Sequence, residues 1–209
     1  MPKKPGLDAA YALGGADDVK ALYADWAQTY DSGFVAARGY QLHQAVGEAY
    51  AAAGGRGPVL DVGAGTGLVG EVLAAAGIGP VEGTDISAEM LAAADAKGVY
   101  ARTFVADVTT RLPIEDNHYA GVVSAGTFTL GHLGPAPLAE LVRITAPSGF
   151  FAIAVNAAHY EAAGFGAFLA NELAGAITDL SLSAVRIYAE GATHDHADDG
   201  GLILTFRVA

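Results

Sequence analysis

A glycine-rich segment followed by an acidic residue is the part of this sequence best suited to bind a nucleoside. The apolar run Val59–Val62 leads into three alternating glycines, Gly63, Gly65 and Gly67. Because glycine has no side chain, the backbone can turn tightly there and approach a ligand closely. Asp85 ends the next predicted strand, where a carboxylate can accept hydrogen bonds from both hydroxyls of a ribose. The pattern therefore predicts a pocket for a cofactor that contains adenosine.

The spacing of the glycines separates two kinds of adenosine cofactor. A dinucleotide site has the pattern G-x-G-x-x-G, in which the third glycine lets the helix pack closely and present its N-terminus to a pyrophosphate. Leu68 occupies that third position here. Asp61, just before the loop, would repel a phosphate and attract the α-ammonium of an amino acid. A nicotinamide-dependent oxidoreductase is therefore the less favoured alternative.

Strand and helix patterns alternate along most of the chain, which predicts a parallel sheet with right-handed crossovers. We predict strands at 59–62, 81–84, 99–105, 121–124 and 150–156, helices at 16–29, 33–53, 67–76 and 137–145, a helix capped by Ser87, and a C-terminal hairpin made of 182–188 and 202–208. Ligands of such sheets bind beyond the carboxyl ends of the strands. Four residues at predicted strand ends should therefore meet at one edge: Gly63, Asp85, Asp107 and Gly126.

The segment Asp61–Gly67, Asp-Val-Gly-Ala-Gly-Thr-Gly, resembles the first motif of class I S-adenosylmethionine-dependent methyltransferases. Four later segments resemble further motifs of this family in the same order: Thr84–Leu91, Val105–Val108, Leu112–Thr127 and Arg143–Gly149. The resemblance implies an α/β fold, Rossmann-like and doubly wound, with a mostly parallel seven-stranded sheet, a C-terminal antiparallel hairpin and an N-terminal helical lid. It also implies S-adenosyl-L-methionine as the cofactor and methyl transfer to a small-molecule acceptor.

The resemblance assigns the cofactor to particular residues. Asp61 and the glycine loop would hold the methionine end, Asp85 the ribose, and Asp107 the adenine edge. The full set of implied cofactor-binding residues is Tyr23, Trp26, Tyr30, Asp61, Gly63, Ala64, Gly65, Gly67, Asp85, Ile86, Asp107, Val108, Ala125 and Thr127. A protein that binds the cofactor without catalysing a reaction is the alternative, because binding motifs and chemistry are separable.

An aromatic cluster precedes the first predicted strand. Tyr23, Trp26 and Tyr30 have helical spacing and would lie on one face of a helix. The segment Tyr23–Asp31 resembles a helical lid that covers the cofactor in many small-molecule methyltransferases, where a tyrosine contacts the methionine carboxylate. An ordinary amphipathic helix packed on the core is the alternative.

Methyl transfer needs a base only when the acceptor must lose a proton. His132 and His159 follow predicted strands four and five, and histidine can take a proton near neutral pH. We expect His132 to be the first candidate base and His159 the second, with pocket shaping or helix capping as alternatives. His194 and His196 lie in a glycine-flanked part of the hairpin, which indicates a solvated loop and no metal site.

Composition restricts the partners. The chain has 209 residues, a formal net charge of -12 and no cysteine. We expect one domain, with a helical extension at 1–55 and the Rossmann-like core at 56–209. The negative charge disfavours nucleic acid and anionic membranes, and the lack of cysteine fits a cytoplasmic protein. The sequence leaves the acceptor and the oligomeric state open.

Overall fold

The computed structural model describes residues 18, 21–23, 27 and 29–209. Seven strands form one sheet in the order β3-β2-β1-β4-β5-β7-β6. Their bounds are β1 Val59–Val62, β2 Val81–Asp85, β3 Arg102–Val105, β4 Tyr119–Phe128, β5 Thr145–Asn156, β6 Ile177–Arg186 and β7 Gly200–Val208. Strands β1 to β5 are parallel, and β7 is antiparallel to both β5 and β6. The predicted mixed sheet with a C-terminal antiparallel hairpin is confirmed.

Helices cover both faces of this sheet. A π-helical turn at Tyr30–Val35 is followed by α1 Ala36–Arg38, α2 Leu42–Ala52, α3 Leu68–Ala75, α4 Ala88–Lys97, α5 Leu138–Arg143, α6 Ala157–Ala162 and α7 Phe165–Asn171. Side chains of α2, α3 and α4 share one hydrophobic cluster with Val59, whereas those of α5, α6 and α7 share another with Leu60 and Val62. Alternate residues of β1 therefore enter opposite layers of the core.

The carboxyl ends of β1, β2 and β4 meet at one edge of the sheet. Val62 pairs with Thr84 of β2, and Asp61 pairs with Val123 of β4. Because β2 and β4 flank β1 on opposite sides, the strand order reverses between β1 and β4, which leaves a crevice at this edge. None of the helices in the described ranges is long and apolar enough to span a membrane.

The structure corrects three predicted elements. The single helix expected over 33–53 is interrupted, because Gly39 has a left-handed φ of 65° and Tyr40 pairs with Tyr188. Strand β3 begins at Arg102 instead of residue 99, since the ring of Tyr100 packs against Gly67, Gly70 and Gly83. Strand β6 begins at Ile177, earlier than the predicted 182. The helix predicted at 16–29 falls mostly outside the described residues.

Candidate active site

A cavity of about 380 Å³ lies at the carboxyl edge of β1, β2 and β4. Eleven of the residues expected to bind the cofactor line it: Tyr23, Tyr30, Gly63, Ala64, Gly65, Asp85, Ile86, Asp107, Val108, Ala125 and Thr127. Gly67 and Asp61 do not line it, and Trp26 lies outside the described residues. The cavity is therefore built from segments that are distant in sequence and converge where the strands end.

The glycine loop forms a cradle with no side chain in it. Gly63, Gly65 and Gly67 have φ values of 65°, 53° and 93°, which other residues rarely adopt. A Cβ atom on Gly63 would collide with the hydroxyl of Thr127. At Gly65 the nearest atom to such a Cβ is a backbone oxygen 4.0 Å away. The loop is closely packed beneath Gly63 and open above Gly65, which fits a ligand lying across its backbone.

Asp85 is held in place by backbone donors. Its Oδ2 accepts a hydrogen bond from the amide of Gly65 at 2.9 Å, and its Oδ1 accepts one from the amide of Ser87 at 2.9 Å. The Ser87 hydroxyl in turn accepts from the amide of Met90 at 3.2 Å, which confirms the predicted N-cap of α4. Burial raises the pKa of Asp85, while the backbone donors oppose that shift. The geometry fixes a carboxylate that has lone pairs left for ribose hydroxyls.

The far end of the cavity has a second fixed carboxylate between apolar walls. Asp107 accepts hydrogen bonds at Oδ1 from the amide of Thr109 at 2.9 Å and from its hydroxyl at 2.6 Å. Ile86 and Val108 line the cavity beside it. Apolar walls beside one polar edge suit an adenine ring.

Asp61 lies beneath the loop, and the structure does not bring it into the cavity. It is fully buried on the side of β1 that faces α3, since strand side chains alternate between the two faces. The hydroxyl of Tyr100 donates to Oδ2 at 2.6 Å, and Oδ1 has no hydrogen-bond partner among the described residues. Burial raises the pKa of Asp61 to about 7. Its expected contact with the methionine end stays a prediction.

His132 lines the cavity in a defined tautomer. Its Nδ1 lies 3.0 Å from the carbonyl oxygen of Leu130, and its Nε2 lies 3.0 Å from the hydroxyl of Tyr23. Because a carbonyl can only accept, the assigned hydrogen is on Nδ1, and Nε2 accepts from Tyr23. Burial lowers the pKa of His132. The imidazole is therefore neutral near pH 7, and the lone pair of Nε2 is occupied by the hydrogen bond from Tyr23.

His159 is outside the cavity. Its Nε2 donates to the carbonyl of Leu133 at 2.9 Å, and its amide donates to the side chain of Asn156, the N-cap of α6, at 3.0 Å. The first turn of α6 thus directs this imidazole toward backbone instead of toward the cavity. This placement disfavours His159 as a second base, and that role stays a prediction.

Polar contacts that the sequence did not predict attach the N-terminal segment to two residues that line the cavity, Thr66 and His132. The hydroxyl of Thr66 donates to Asp31 at 2.5 Å, and Lys97 pairs with Asp31 and Glu71 at 2.7 Å each. The second attachment is the hydrogen bond between Tyr23 and His132. Asp31 lies in the aromatic segment Tyr23–Asp31, but no sequence pattern indicated that Thr66 or Lys97 would be its partners.

Comparisons with known proteins agree with this geometry. A family model described as a methyltransferase domain matches residues 59–149. No curated protein sequence matches the chain. The structure resembles a TehB-like SAM-dependent methyltransferase from Corynebacterium glutamicum, with 25% identity, coverage of 90% of this chain and 99% of that chain, and a TM-score of 0.59.

Two more distant structures share the fold. One is the methyltransferase in complex with the Trm112 activator of Haloferax volcanii, with 19% identity, coverage of 89% and 97%, and a TM-score of 0.64. The other is the cyclase SpnF, with 17% identity, coverage of 94% and 97%, and a TM-score of 0.67. The family model spans the strands and loops that build the cavity. The chain therefore contains a methyltransferase domain like that of the class I S-adenosylmethionine-dependent enzymes, and S-adenosylmethionine is its cofactor.

Proposed function

We propose that this methyltransferase acts on a small-molecule acceptor, with His132 as the base when the acceptor must lose a proton. The cavity and its lining carry this proposal. Its volume of about 380 Å³ lies in the range of small-molecule sites. Among the described residues that line it, none is Lys or Arg. A site without cations, in a chain of net charge -12, is poorly suited to a polyanionic acceptor such as RNA.

The cofactor end and the acceptor end of the cavity have different chemistry. We assign Asp85 to the ribose, Asp107 to the adenine edge, and Gly63 to Gly67 to the methionine end. Ala125 and Thr127, at the end of β4, then lie beside the sulfonium. His132 and the tyrosines of the N-terminal segment are left to face the acceptor.

When bound, the cofactor would supply a methyl group on a sulfonium; the acceptor lone pair would form the bond to carbon, and the electron pair of the carbon–sulfur bond would return to sulfur. Methyl transfer of this kind depends mainly on positioning and exclusion of water. The proton of a hydroxyl or ammonium acceptor would move to Nε2 of His132. Tyr23 donates a hydrogen bond to that nitrogen at 3.0 Å, so the acceptor would have to displace its hydroxyl group.

The N-terminal segment is proposed as a lid over this site. Its two attachments, Tyr23 to His132 and Asp31 to Thr66, both reach residues that line the cavity. The alternative of an amphipathic helix packed only on the core would not need polar contacts to the glycine loop. A closed lid would hold the partners together and keep water away from the cofactor.

The proposal is tested by offering labelled methyl donor to three acceptor pools. The purified enzyme is incubated with S-adenosylmethionine labelled in the methyl group and with a small-metabolite extract, total RNA or total protein. We expect label to appear in the small-metabolite fraction and to be lost in the His132→Gln variant. Labelling confined to RNA or protein would refute the small-molecule acceptor. These two pools are included because one structural neighbour is a methyltransferase bound to the Trm112 activator.

A further inference from the structure

Strand β4 is irregular at the point where it reaches the cavity. Its pairing with β5 is regular from Gly121 to Ser124 and then shifts register before Phe128. Gly126, with a left-handed φ of 86°, lies inside this irregular stretch. A bulge of this kind bends the strand and redirects its side chains. The side chains of Ser124 and Thr127, on either side of it, therefore do not follow the simple alternation of a regular strand.

The bulge brings two hydroxyl groups to the same carbonyl oxygen. Ser124 donates to the carbonyl of Val62 at 2.7 Å, and Thr127 donates to it at 3.2 Å. Residues three positions apart on a regular strand point to opposite faces, so the bulge is what lets these two side chains converge. Val62 ends β1, and its carbonyl belongs to the peptide bond that opens the glycine loop. Two side chains of β4 therefore hold the loop at its first peptide bond.

Thr127 also connects the glycine loop to the segment that contains His132. Its carbonyl oxygen accepts a hydrogen bond from the amide of Leu133 at 3.2 Å, and both His132 and Leu133 line the cavity. Its side chain packs against Gly63, where an added Cβ would lie 3.0 Å from the methyl group of Thr127. One residue is thus bonded to the glycine loop through its hydroxyl and to the segment of His132 through its backbone.

The glycine loop depends on such anchors because its own backbone is permissive. Glycine adopts positive and negative φ with similar ease, so a loop with three glycines has many alternative conformations. On the side of β2, the amides of Ala64 and Gly65 donate to residues of that strand at 2.9 Å each. On the side of β4, side-chain hydroxyls supply the restraint. Since apparent affinity falls with the fraction of molecules in the binding conformation, a loosened loop binds its ligand more weakly.

We propose that Thr127 is a positioning residue, whose hydroxyl holds the glycine loop in the conformation that binds the cofactor and ties it to the segment of His132. Ser124 donates to the same carbonyl but is fully buried in the core, whereas Thr127 lines the cavity. The hydroxyl of Thr127 acts through the loop and not by contact with the reacting atoms, because it is already bonded to Val62. The inference rests on S-adenosylmethionine as the cofactor and is independent of the acceptor.

Two substitutions at Thr127 separate the hydroxyl from the shape of the side chain. Thr127→Val keeps the shape and removes the hydroxyl. We expect it to weaken binding of S-adenosylmethionine, measured by calorimetry, about fivefold, as for one lost hydrogen bond. In the cofactor-free protein, deuterium exchange at the amides of Ala64 and Gly65 should become faster. Thr127→Ser keeps the hydroxyl and should recover most of the affinity and most of the protection from exchange.

Thr145→Val is the matched control, because the hydroxyl of Thr145 makes the same type of bond away from the site. Thr145 is fully buried at the start of β5, donates to the carbonyl of Leu141 at 2.7 Å, and does not line the cavity. In urea unfolding, this variant should lose about as much stability as Thr127→Val. Its affinity for S-adenosylmethionine should stay within about twofold of the wild type, and exchange in the loop should not change.

Three results would overturn the proposal. The first is an equal loss of cofactor affinity in Thr127→Val and Thr145→Val, or no loss in Thr127→Val. The second is a Thr127→Ser variant that binds as weakly as Thr127→Val. The third is weaker binding by Thr127→Val with unchanged exchange at the loop, which would indicate direct contact between the hydroxyl and the cofactor. Every measurement is made without an acceptor, so failure to find a small-molecule acceptor would leave the proposal intact.

Discussion

Removing the buried charge of Asp61 should stabilise the cofactor-free protein, and the gain should depend on pH. The side chain is fully buried, and burial raises its pKa from an ordinary 3.8 to about 7. At 1.36 kcal/mol per pKa unit, this shift corresponds to about 4 kcal/mol of cost for the ionised form. Asp61→Asn keeps the shape and an oxygen that can accept from Tyr100, but it cannot ionise.

The sign follows from proton binding. Below about pH 4, Asp61 is protonated in both the folded and the unfolded chain, so its pKa shift contributes nothing to stability. Between about pH 4 and pH 7 the unfolded chain has lost this proton while the folded chain keeps it, so the stability of the wild type falls as pH rises. Above pH 7 the loss is complete. The advantage of Asp61→Asn should therefore grow from near zero at pH 4 to about 4 kcal/mol at pH 8.

Urea unfolding of both proteins at pH 4, 6 and 8, without cofactor, measures this difference. A gain that is the same at all three pH values would refute the assignment of a raised pKa to Asp61. Destabilisation of the variant at pH 8 would refute it as well. If Oδ1 of Asp61, which lacks a partner among the described residues, also serves the cofactor's ammonium, the stabilised variant should bind S-adenosylmethionine more weakly than the wild type.

Three further predictions concern the loop, the base and the lid. Gly63→Ala should abolish cofactor binding, because its Cβ would collide with Thr127. The control Gly54→Ala has open space at a φ of 72°; it should lower the free energy of unfolding by about 1 kcal/mol and keep binding. Equal loss of binding in both variants by calorimetry would contradict the role of the glycine loop as a cradle. His132→Gln should lower turnover about 100-fold and abolish the fall of the pH–rate profile at acidic pH. Turnover of His159→Gln should stay within about twofold of the wild type. Similar rates for the two variants would refute the role of His132 as base. Thr66→Val should lower the free energy of unfolding by about 1 kcal/mol and speed proteolysis of the N-terminal segment. Unchanged cleavage would argue against the lid attachment.

Local patterns made part of this site predictable from sequence. The run from β1 through the glycine loop, the acid at the end of β2, and the N-cap Ser87 each depend on residues within a few positions of one another. Their spacing therefore specified the loop and the strand end before any tertiary contact was known.

Long-range packing decided what the sequence could not indicate. Tyr100 was expected in a strand, but glycines at the start of α3 and in β2 leave room for its ring below the loop, where it meets Asp61. His43 occupies an unremarkable position in an amphipathic pattern, and only the packing of α2 beside α3 brings it to the cavity. His159 has the same residue type and strand-end location as His132, yet the cap of α6 directs it to a carbonyl.

The contact between Tyr23 and Nε2 of His132 also has a consequence for the enzyme before an acceptor binds. While Nε2 of His132 accepts this hydrogen bond, it cannot take a proton from a water molecule that enters the cavity before the acceptor. If His132 is the base, the bound methyl donor would then be protected from hydrolysis until the acceptor arrives. If His132 is the base, an acceptor that must lose a proton would first have to displace the phenol of Tyr23 from the imidazole, which would make that displacement an early step of selection.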